Sequence, residues 1–552
     1  MSRKLIATSL LALSMFFTGA SGLVNEYVLS TVSTYILGSS IEQFSITIAL
    51  MLGMMGIGSW SQKYINDNNL IEKFINIELL LALISSFAPI LVYAAFGFMS
   101  ENFNLIYYLF VISIGFLIGF EIPFIIRINK KYSKELKSNI STVIASDYIG
   151  SFIGALVWVY LLLPNFGLNE ISFIVSGVNL FVALITFIYF SKIKLIKVSL
   201  YNIISILVVT SLLIFGFLNA NKYQLILEQK IYEDPIIDSI TTKYQHITMT
   251  NNKKLNEKRL YINGNVQFST LDEKRYHEIL VHPIMSFNKK KKDVLILGGG
   301  DGLVIRELKK YKNINSITLV DLDPGMIKFA KTNKDMKKIN ENAFNDARIT
   351  ILNNKMVSSD SVKDIFETYN FKEKKSEYIA TVNVINIDAS KFIHILKNKK
   401  FDVIIIDFPD PSSIELVKLY SKEFYLSIKN ILKDDGSFVI QSTSPYHAKE
   451  TFLCIGRTLK SAGLYVKPYH LNIPSFGDWG WWIGNKLSLK KLNQDISNVK
   501  KFYVKTKYLT PEIFSSSFLF GKNELNSKYT NINTLMKPVL LDIYTKNSWL
   551  TY

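Results

Sequence analysis

The sequence predicts a helical membrane domain of about seven spans, then a small β-domain and a Rossmann-like α/β domain. Three observations predict this architecture. Apolar residues make up 49% of the 552-residue chain and crowd into the first 220 positions. From residue 291 onward, short apolar runs alternate with helical patterns, as in a parallel sheet with crossover helices. One of those runs ends at 294–302 as Val-Leu-Ile-Leu-Gly-Gly-Gly-Asp-Gly, a buried strand breaking into a glycine-rich turn.

The length exceeds what a single core supports. The expected units are a polytopic domain over 1–220, a β-hairpin domain over 221–288, an α/β domain over 289–490 and a helical extension over 491–552.

In the first unit, apolar stretches lie near 5–23, 43–60, 77–98, 104–126, 142–163, 170–190 and 199–218, each about long enough to cross the hydrocarbon core. Arg3 and Lys4 before the first stretch, and the small residues Gly19–Gly22 after it, mimic a secretory signal. Six further stretches make a multi-pass membrane protein the better reading. Arg127, Lys130, Lys131, Lys134 and Lys137 follow the fourth stretch, and Lys192, Lys194 and Lys197 follow the sixth. The positive-inside rule places both loops and the N-terminus in the cytoplasm. An odd number of spans then puts the second half outside. A further short membrane element at Tyr27–Leu37, after Asn25 and Glu26, would reverse that. Glu121, before Pro123, and Asp147 are acids within or beside spans. They read either as caps or pairs near the interface, or as part of a polycation pathway.

The net charge of +18 does not point to nucleic acid, because the lysines are dispersed and the longest run, Lys289–Lys292, is short. A solvated surface attracted to anionic lipid fits better. The single cysteine, Cys454, excludes an intrachain disulfide, and the six histidines show no metal-ligand spacing. No structural metal is expected.

In the α/β unit the expected strands are Val294–Leu297, Ser316–Val320, Ile349–Leu352, Val384–Ile387, Val403–Ile406 and Ser437–Gln441. Ligands of such sheets sit beyond the carboxyl ends of the strands, and acids collect there. Asp301 follows the first strand, Asp321 and Asp323 the second, Asp388 the fourth, and Asp407 and Asp410 the fifth. Gly298 and Gly300 allow close approach of backbone to ligand. A phosphate-binding turn would offer bare N–H groups and a lysine, so Asp301 argues for a cationic or hydroxyl-bearing ligand. Asp321, about 20 residues past the glycines, stands where such folds bind ribose hydroxyls. Asp388 and Ala389 suit an adenine amino contact. Helix capping is the alternative for each acid, strongest for Asp323 before Pro324. The polar insert 354–383 carries no chemistry that can be named.

Upstream, Tyr244–Ile247 and Leu260–Gln267 read as strands joined by a polar turn, and Asp272–Pro283 as a helix carrying Tyr276 and His277 over the sheet edge. Taken alone, Tyr276 and His277 would be core and cap residues, and Asp407 before Phe408-Pro409 a turn residue.

Together these pieces resemble the polyamine aminopropyltransferases, the spermidine synthases. The resemblance rests on Tyr-Gln at 244–245, Asn-Gly-Asn-Val-Gln at 263–267, Tyr-His-Glu at 276–278 and Gly-Gly-Gly-Asp-Gly at 298–302. Asp-Leu-Asp at 321–323, Asp-Phe-Pro-Asp-Pro at 407–411, Ser-Pro-Tyr at 444–446 and Pro-Ser-Phe-Gly-Asp-Trp-Gly at 474–480 complete it. With the apolar spans in front, the chain resembles the membrane-fused branch of that family. The resemblance implies a class I methyltransferase-like Rossmann domain that moves an aminopropyl group from decarboxylated S-adenosylmethionine, a co-substrate and not a cofactor, to putrescine. Spermidine and methylthioadenosine are the implied products.

By the same resemblance, Asp407 is the catalytic acid that takes the amine proton and Tyr276 orients the amine. Gln245, Gly298, Gly300, Asp301, Asp321, Asp388 and Ala389 hold the nucleoside, while His277, Asp301, Asp410 and Gln267 hold the polyamine. The expected partners are these small molecules, the lipid bilayer and a second copy of the chain, with no nucleic acid. The expected location is the inner membrane; a nucleoside made in the cytoplasm places the catalytic domain there, while span parity places it outside. Phe476 replaces the family's usual tyrosine, Asp321 stands for a longer glutamate, and the loop after Asp410 lacks the family's Gly-Pro. These departures leave the acceptor open among putrescine, a longer amine and another diamine. Two rival readings are a methyltransferase using S-adenosylmethionine itself and a non-catalytic membrane sensor or transporter.

Overall fold

A computed structural model describes residues 3–37, 40–99, 102–132, 135–287, 292–345, 349–352, 381–396 and 399–547. Almost all of the polar insert expected at 354–383 lies outside the described residues. The chain divides into two compact units, Met1–Thr241 and Thr242–Tyr552.

The first unit is helical. Seven of its described helices are long and apolar enough to cross a membrane, from Lys4–Ile36 to Leu200–Ala220. Tyr27–Leu37 is no separate element, because Arg3–Leu37 is one continuous helix. At 35 residues it is about 52 Å long at 1.5 Å per residue. The fourth apolar stretch breaks at Gly119 and Phe120, between helices Phe103–Ile118 and Glu121–Asn129. Pro123, lacking an N–H, cannot bond the carbonyl of Gly119 and so fixes that break. Small residues let the helices approach closely. A Cβ on Gly150 would stand 2.0 Å from the Phe16 carbonyl oxygen, and one on Gly154 2.7 Å from that of Ala20. Ser85 and Ser176 share a hydrogen bond of 2.9 Å between two other packed helices. Glu121 is buried, and Glu78, which the sequence reading passed over, is buried with it. The last helix runs to Glu228, beyond the expected domain end at 220, and strand β1 (Ile236–Thr241) closes the unit.

The second unit begins with the antiparallel strands β2 (His246–Asn252), β3 (Glu257–Ile262) and β4 (Asn265–Ser269). The expected single strand Leu260–Gln267 is in fact a hairpin. Asn263 at φ 48° and Gly264 at φ 79° make the two-residue turn that Asn-Gly favours. Helix Glu273–Ser286 then leads to β5 (Lys292–Gly298).

From there come β6 (Ile314–Asp321), β7 (Ile349–Leu352), β8 (Thr381–Asn386), β9 (Phe401–Asp407), β10 (Leu432–Gln441), β11 (Tyr465–Ile473) and β12 (Gly477–Asn485). With β5 they form one eight-stranded sheet in the order β11-β12-β10-β9-β5-β6-β8-β7. All six expected strands are present. The sheet is mixed, however, since β11 and β12 pair antiparallel with each other and β12 antiparallel with β10. The sequence reading missed both because Pro468, Gly477 and Gly480 interrupt the apolar pattern of the segment.

The central strands are apolar on both faces because helices cover both. Leu295, Leu297, Ile404, Ile406, Phe438 and Ile440 enter one core with Phe424, Ile428, Phe452 and Ile455. The carboxyl ends of β5, β6 and β9 therefore meet a rigid floor at one edge.

Candidate active site

The glycine turn is shaped by two acids on neighbouring strands. Gly298, at φ 84°, pairs in register with Asp407, and a Cβ there would lie 2.2 Å from the Asp407 carbonyl oxygen. At Gly300 a Cβ would meet Asp321 Oδ2 at 2.6 Å. Instead, the Gly300 N–H donates to Asp321 Oδ2 at 3.0 Å and the Asp323 N–H donates to Oδ1 at 2.9 Å. Burial still pushes the Asp321 carboxyl up to about 7, with the charges of Asp323 and Asp301 adding to it. Asp301 accepts from the Leu303 N–H at 2.8 Å, and its carbonyl accepts from Asn340 Nδ2 at 3.0 Å. Burial raises its carboxyl too, against the opposing charge of His277.

Asp407 ends β9 beside this turn. Tyr276 donates to its Oδ1 at 2.6 Å, while Oδ2 lies 3.6 Å from where a Cβ on Gly299 would sit. Burial raises Asp407 to about 6, with His277 lowering it, Asp301 raising it and the Tyr276 hydrogen bond lowering it. The phenol of Tyr276 is held neutral, first by burial and then by Asp407 itself. Its ring leans on Trp481 at 5.4 Å and on Phe476 at 6.1 Å between centroids. Tyr276 thus joins the carboxylate to an aromatic cluster in which Trp481 is fully buried.

Asp410 lies three residues further on. Gln441 Nε2 donates to its Oδ1 at 3.1 Å, and Thr443 Oγ1 and the Tyr544 hydroxyl donate to Oδ2 at 2.8 and 3.1 Å. All three donors are neutral. Burial raises this carboxyl, and the three hydrogen bonds oppose the rise.

The other expected residues fall at varying depth around this centre. Asp388 caps the helix beginning at Ala389, accepting from the Lys391 N–H at 3.1 Å, and pairs with Lys418 Nζ at 2.6 Å. Its hydrogen bonds to backbone and Lys418 outweigh burial and hold its carboxyl low. Asp323 is a cap as well, accepting from Gly325 N–H and from Thr242 Oγ1. The side chain of Gln245 also bonds Asp323, one residue from Leu322 and two from Asp321. His277 has Nδ1 against the Glu273 carbonyl at 2.7 Å and the Glu273 carboxylate at 3.1 Å. Burial alone would discharge that imidazole, but Glu273 and the charge of Asp301 raise its pKa overall. Gln267 stands apart. Its amide donates to the Asn265 carbonyl at 3.4 Å, and none of its hydrogen bonds among the described residues reaches the acids.

Sequence reasoning missed Tyr544, Thr443, Gln441 and Glu273. Glu273 accepts from Arg306 at 2.7 and 3.0 Å and so anchors the helix that carries Tyr276 and His277. Its place three residues ahead of Tyr276 was the available signal. Tyr544 offered none, being 134 residues from its partner. Glu278, His282 and Glu307 bring ligand-type atoms within 4.8 Å of one another. Glu278 is already committed to the backbone N–H groups of Lys507, Tyr508 and Leu509, and Glu307 to Arg306 and Lys310. That cluster ties helix to chain and has the makings of a structural pin.

The chain matches the model of the spermine/spermidine synthase domain over residues 273–371 and 359–494. It is 38% identical to polyamine aminopropyltransferase 2 of Aquifex aeolicus over 97% of this chain and 98% of that one. It is 35% identical to the polyamine aminopropyltransferase of Oceanobacillus iheyensis over 96% of each chain. With that of Leptospira interrogans the identity is 34% over 97% of this chain and 98% of the other. The solved spermidine synthase from Thermotoga maritima is 24% identical over 52% of this chain and 87% of its own, with a TM-score of 0.41. Near-full-length relatives of that name favour aminopropyl transfer over methyl transfer. The chain is a transferase, and it belongs to the spermine/spermidine synthase family, the polyamine aminopropyltransferases.

Proposed function

We propose that this chain moves the aminopropyl group of decarboxylated S-adenosylmethionine to putrescine, giving spermidine and methylthioadenosine. One observation carries the reading. Asp301, Asp407 and Asp410 lie near one another, since the charge of Asp301 raises Asp407 and the phenol of Tyr276 feels both Asp407 and Asp410. Among the described residues none of the three forms an ion pair with a lysine or arginine. Half-buried carboxylates without a cationic partner are costly, and cationic substrates would offset that cost.

In this reading Asp301 faces the ammonium of the aminopropyl arm, where S-adenosylmethionine would place a second carboxylate. Gly298 and Gly300 let the nucleoside approach the backbone, and Asp321, aimed by two N–H groups, takes the ribose hydroxyls. Asp388 and Ala389 meet the adenine once Lys418 yields, with Gln245 flanking through Asp323. The acceptor lies between Asp407 and Asp410, against Tyr276 and Phe476. His277 offers Nε2 to it, since Nδ1 is held by Glu273, and Gln267 would reach it only by a movement of β4.

The amine nitrogen attacks the carbon bonded to the sulfonium. The C–N bond forms, and the C–S electron pair leaves with sulfur as a neutral thioether. The attacking nitrogen needs a free lone pair, yet an alkylamine has a pKa of about 10 and is mostly protonated near neutral pH, so a base must take a proton from it as the C–N bond forms. Asp407 accepts it on the oxygen that Tyr276 leaves free.

The seven apolar helices are proposed to cross the inner membrane, with β2 to β4 as a small β-domain before the catalytic sheet. The catalytic domain is proposed to be cytoplasmic because its nucleoside is made there, although seven spans under the positive-inside rule put it outside; a bilayer environment and a homo-oligomer complete the proposal. A reporter fused after Tyr552 tests the side of the membrane, and an external signal would reverse the cytoplasmic assignment.

Substrate choice is tested by offering putrescine with either nucleoside. Turnover is expected with decarboxylated S-adenosylmethionine and at least about a hundredfold less with the intact form, because a carboxylate beside Asp301 is repelled. Comparable rates would refute the role of Asp301. The pH dependence follows from Asp407, which works only when ionised. Its pKa of about 6 means that kcat/KM for the amine should fall roughly tenfold per pH unit below that point. A profile with no limb near there would remove Asp407 as the base.

A further inference from the structure

The sequence places residues 491–552 outside the sheet as an extension, yet one of its side chains ends on the acid assigned to the acceptor amine. Helix Val539–Asn547 is seated by Leu540 and Ile543, both buried in the core of the α/β sheet. Tyr544 lies four residues from Leu540 and one from Ile543, so it shares their inward face. The approach to that helix is pinned as well. Asn533 donates through Nδ2 to the Val417 carbonyl at 2.9 Å and accepts from the Leu540 N–H at 3.3 Å, while its own N–H reaches Thr458 Oγ1 at 2.9 Å. The Tyr544 hydroxyl arrives at Asp410 on a fixed support, and no loose tail is involved.

At Asp410 the hydroxyl adds a third neutral donor to two supplied from the end of β10. Oδ1 is held by Gln441, which also donates to the Phe408 carbonyl at 2.6 Å, and Oδ2 is shared between Thr443 and Tyr544. Three neutral donors keep an acid aimed while leaving its charge unspent. A lysine in place of Tyr544 would neutralise Asp410 and compete with any incoming ammonium.

We propose that Tyr544 is a positioning residue of the acceptor site, delivered by the C-terminal helix, which orients Asp410 toward the remote ammonium of an α,ω-diamine. The inference rests on the reading of Asp410 as the acceptor's anchor. It makes the C-terminal segment part of the machinery that selects the acceptor.

The test is steady-state kinetics of the full chain carrying Tyr544→Phe, with Asp410→Asn beside it. Losing one hydrogen bond to a charged group should raise KM for putrescine about tenfold, within the usual range for such bonds. Both kcat and KM for the nucleoside should stay within about twofold, since the reacting carbon and Asp407 are untouched. A linear alkyl monoamine used as a competitive inhibitor lacks the remote ammonium, so its Ki should not move. A purely structural role for Tyr544 would shift that Ki along with the rest. The assignment of Tyr544 is overturned if putrescine KM is unchanged while Asp410→Asn weakens it. It is also overturned if monoamine and diamine weaken together. If Asp410→Asn itself leaves putrescine KM unchanged, the anchoring role of Asp410 fails and Tyr544 falls with it.

Discussion

Replacing Asp407 with Asn should cut kcat by at least about a hundredfold and up to about ten-thousandfold, the usual worth of a positioned base. Asn keeps the shape and still accepts the 2.6 Å hydrogen bond that Tyr276 gives to Oδ1. What it loses is the ability to take a proton on the other oxygen. The loss corresponds to about 3–5 kcal/mol of barrier, with little reason for the fold to change. The nucleoside should bind as before, because Gly298 and Gly300 contribute backbone and Asp321 stays aimed. Calorimetric titration with methylthioadenosine, set beside single-turnover rates, separates the two effects. A variant that binds and turns over normally would displace Asp407 from its role.

A methyl group at Gly298 is expected to damage both the fold and the site. Alanine there must hold φ at 84° and place its Cβ 2.2 Å from the Asp407 carbonyl oxygen. The left-handed backbone alone costs an L-residue roughly 1–2 kcal/mol. The overlap must be relieved by moving strands β5 and β9 apart, where packing does not yield cheaply. A total of roughly 3 kcal/mol is expected, with nucleoside affinity lost in parallel. Gly264 supplies the control. It has φ 79° with nothing within 4 Å of an added Cβ, so Gly264→Ala should show the backbone cost of about 1 kcal/mol and no more. Thermal unfolding of the two full-length variants in one detergent makes the comparison. Equal losses would mean that close approach to Asp407 is not what makes Gly298 a glycine.

Much of this was legible in the chain because the central elements are local. A run such as Val294–Leu297 buried on both faces is recognisable without its neighbours, and so is an acid after each strand. Residues far apart in sequence were harder. Asp323 and Asp388 proved to be helix caps as well as rim acids, which the sequence had left as alternatives. The antiparallel pair β11 and β12 escaped because Pro468, Gly477 and Gly480 break up its apolar pattern. Tyr544 is the extreme case, since no pattern within 539–547 reveals that Asp410 lies beside it. The Asn-Gly turn at 263–264 is different, for the signal was present and was read through.

The spacing of the acids has a consequence for how such a protein diversifies. Asp407 is paired with Gly298 by strand register, so the proposed base and the proposed nucleoside seat are tied together. Asp410 sits past the strand end and is steadied by side chains from two other parts of the chain. On the proposed roles, a lineage could retune which amine it accepts by altering the tail or the turn after β10, while the bond-making geometry is inherited intact.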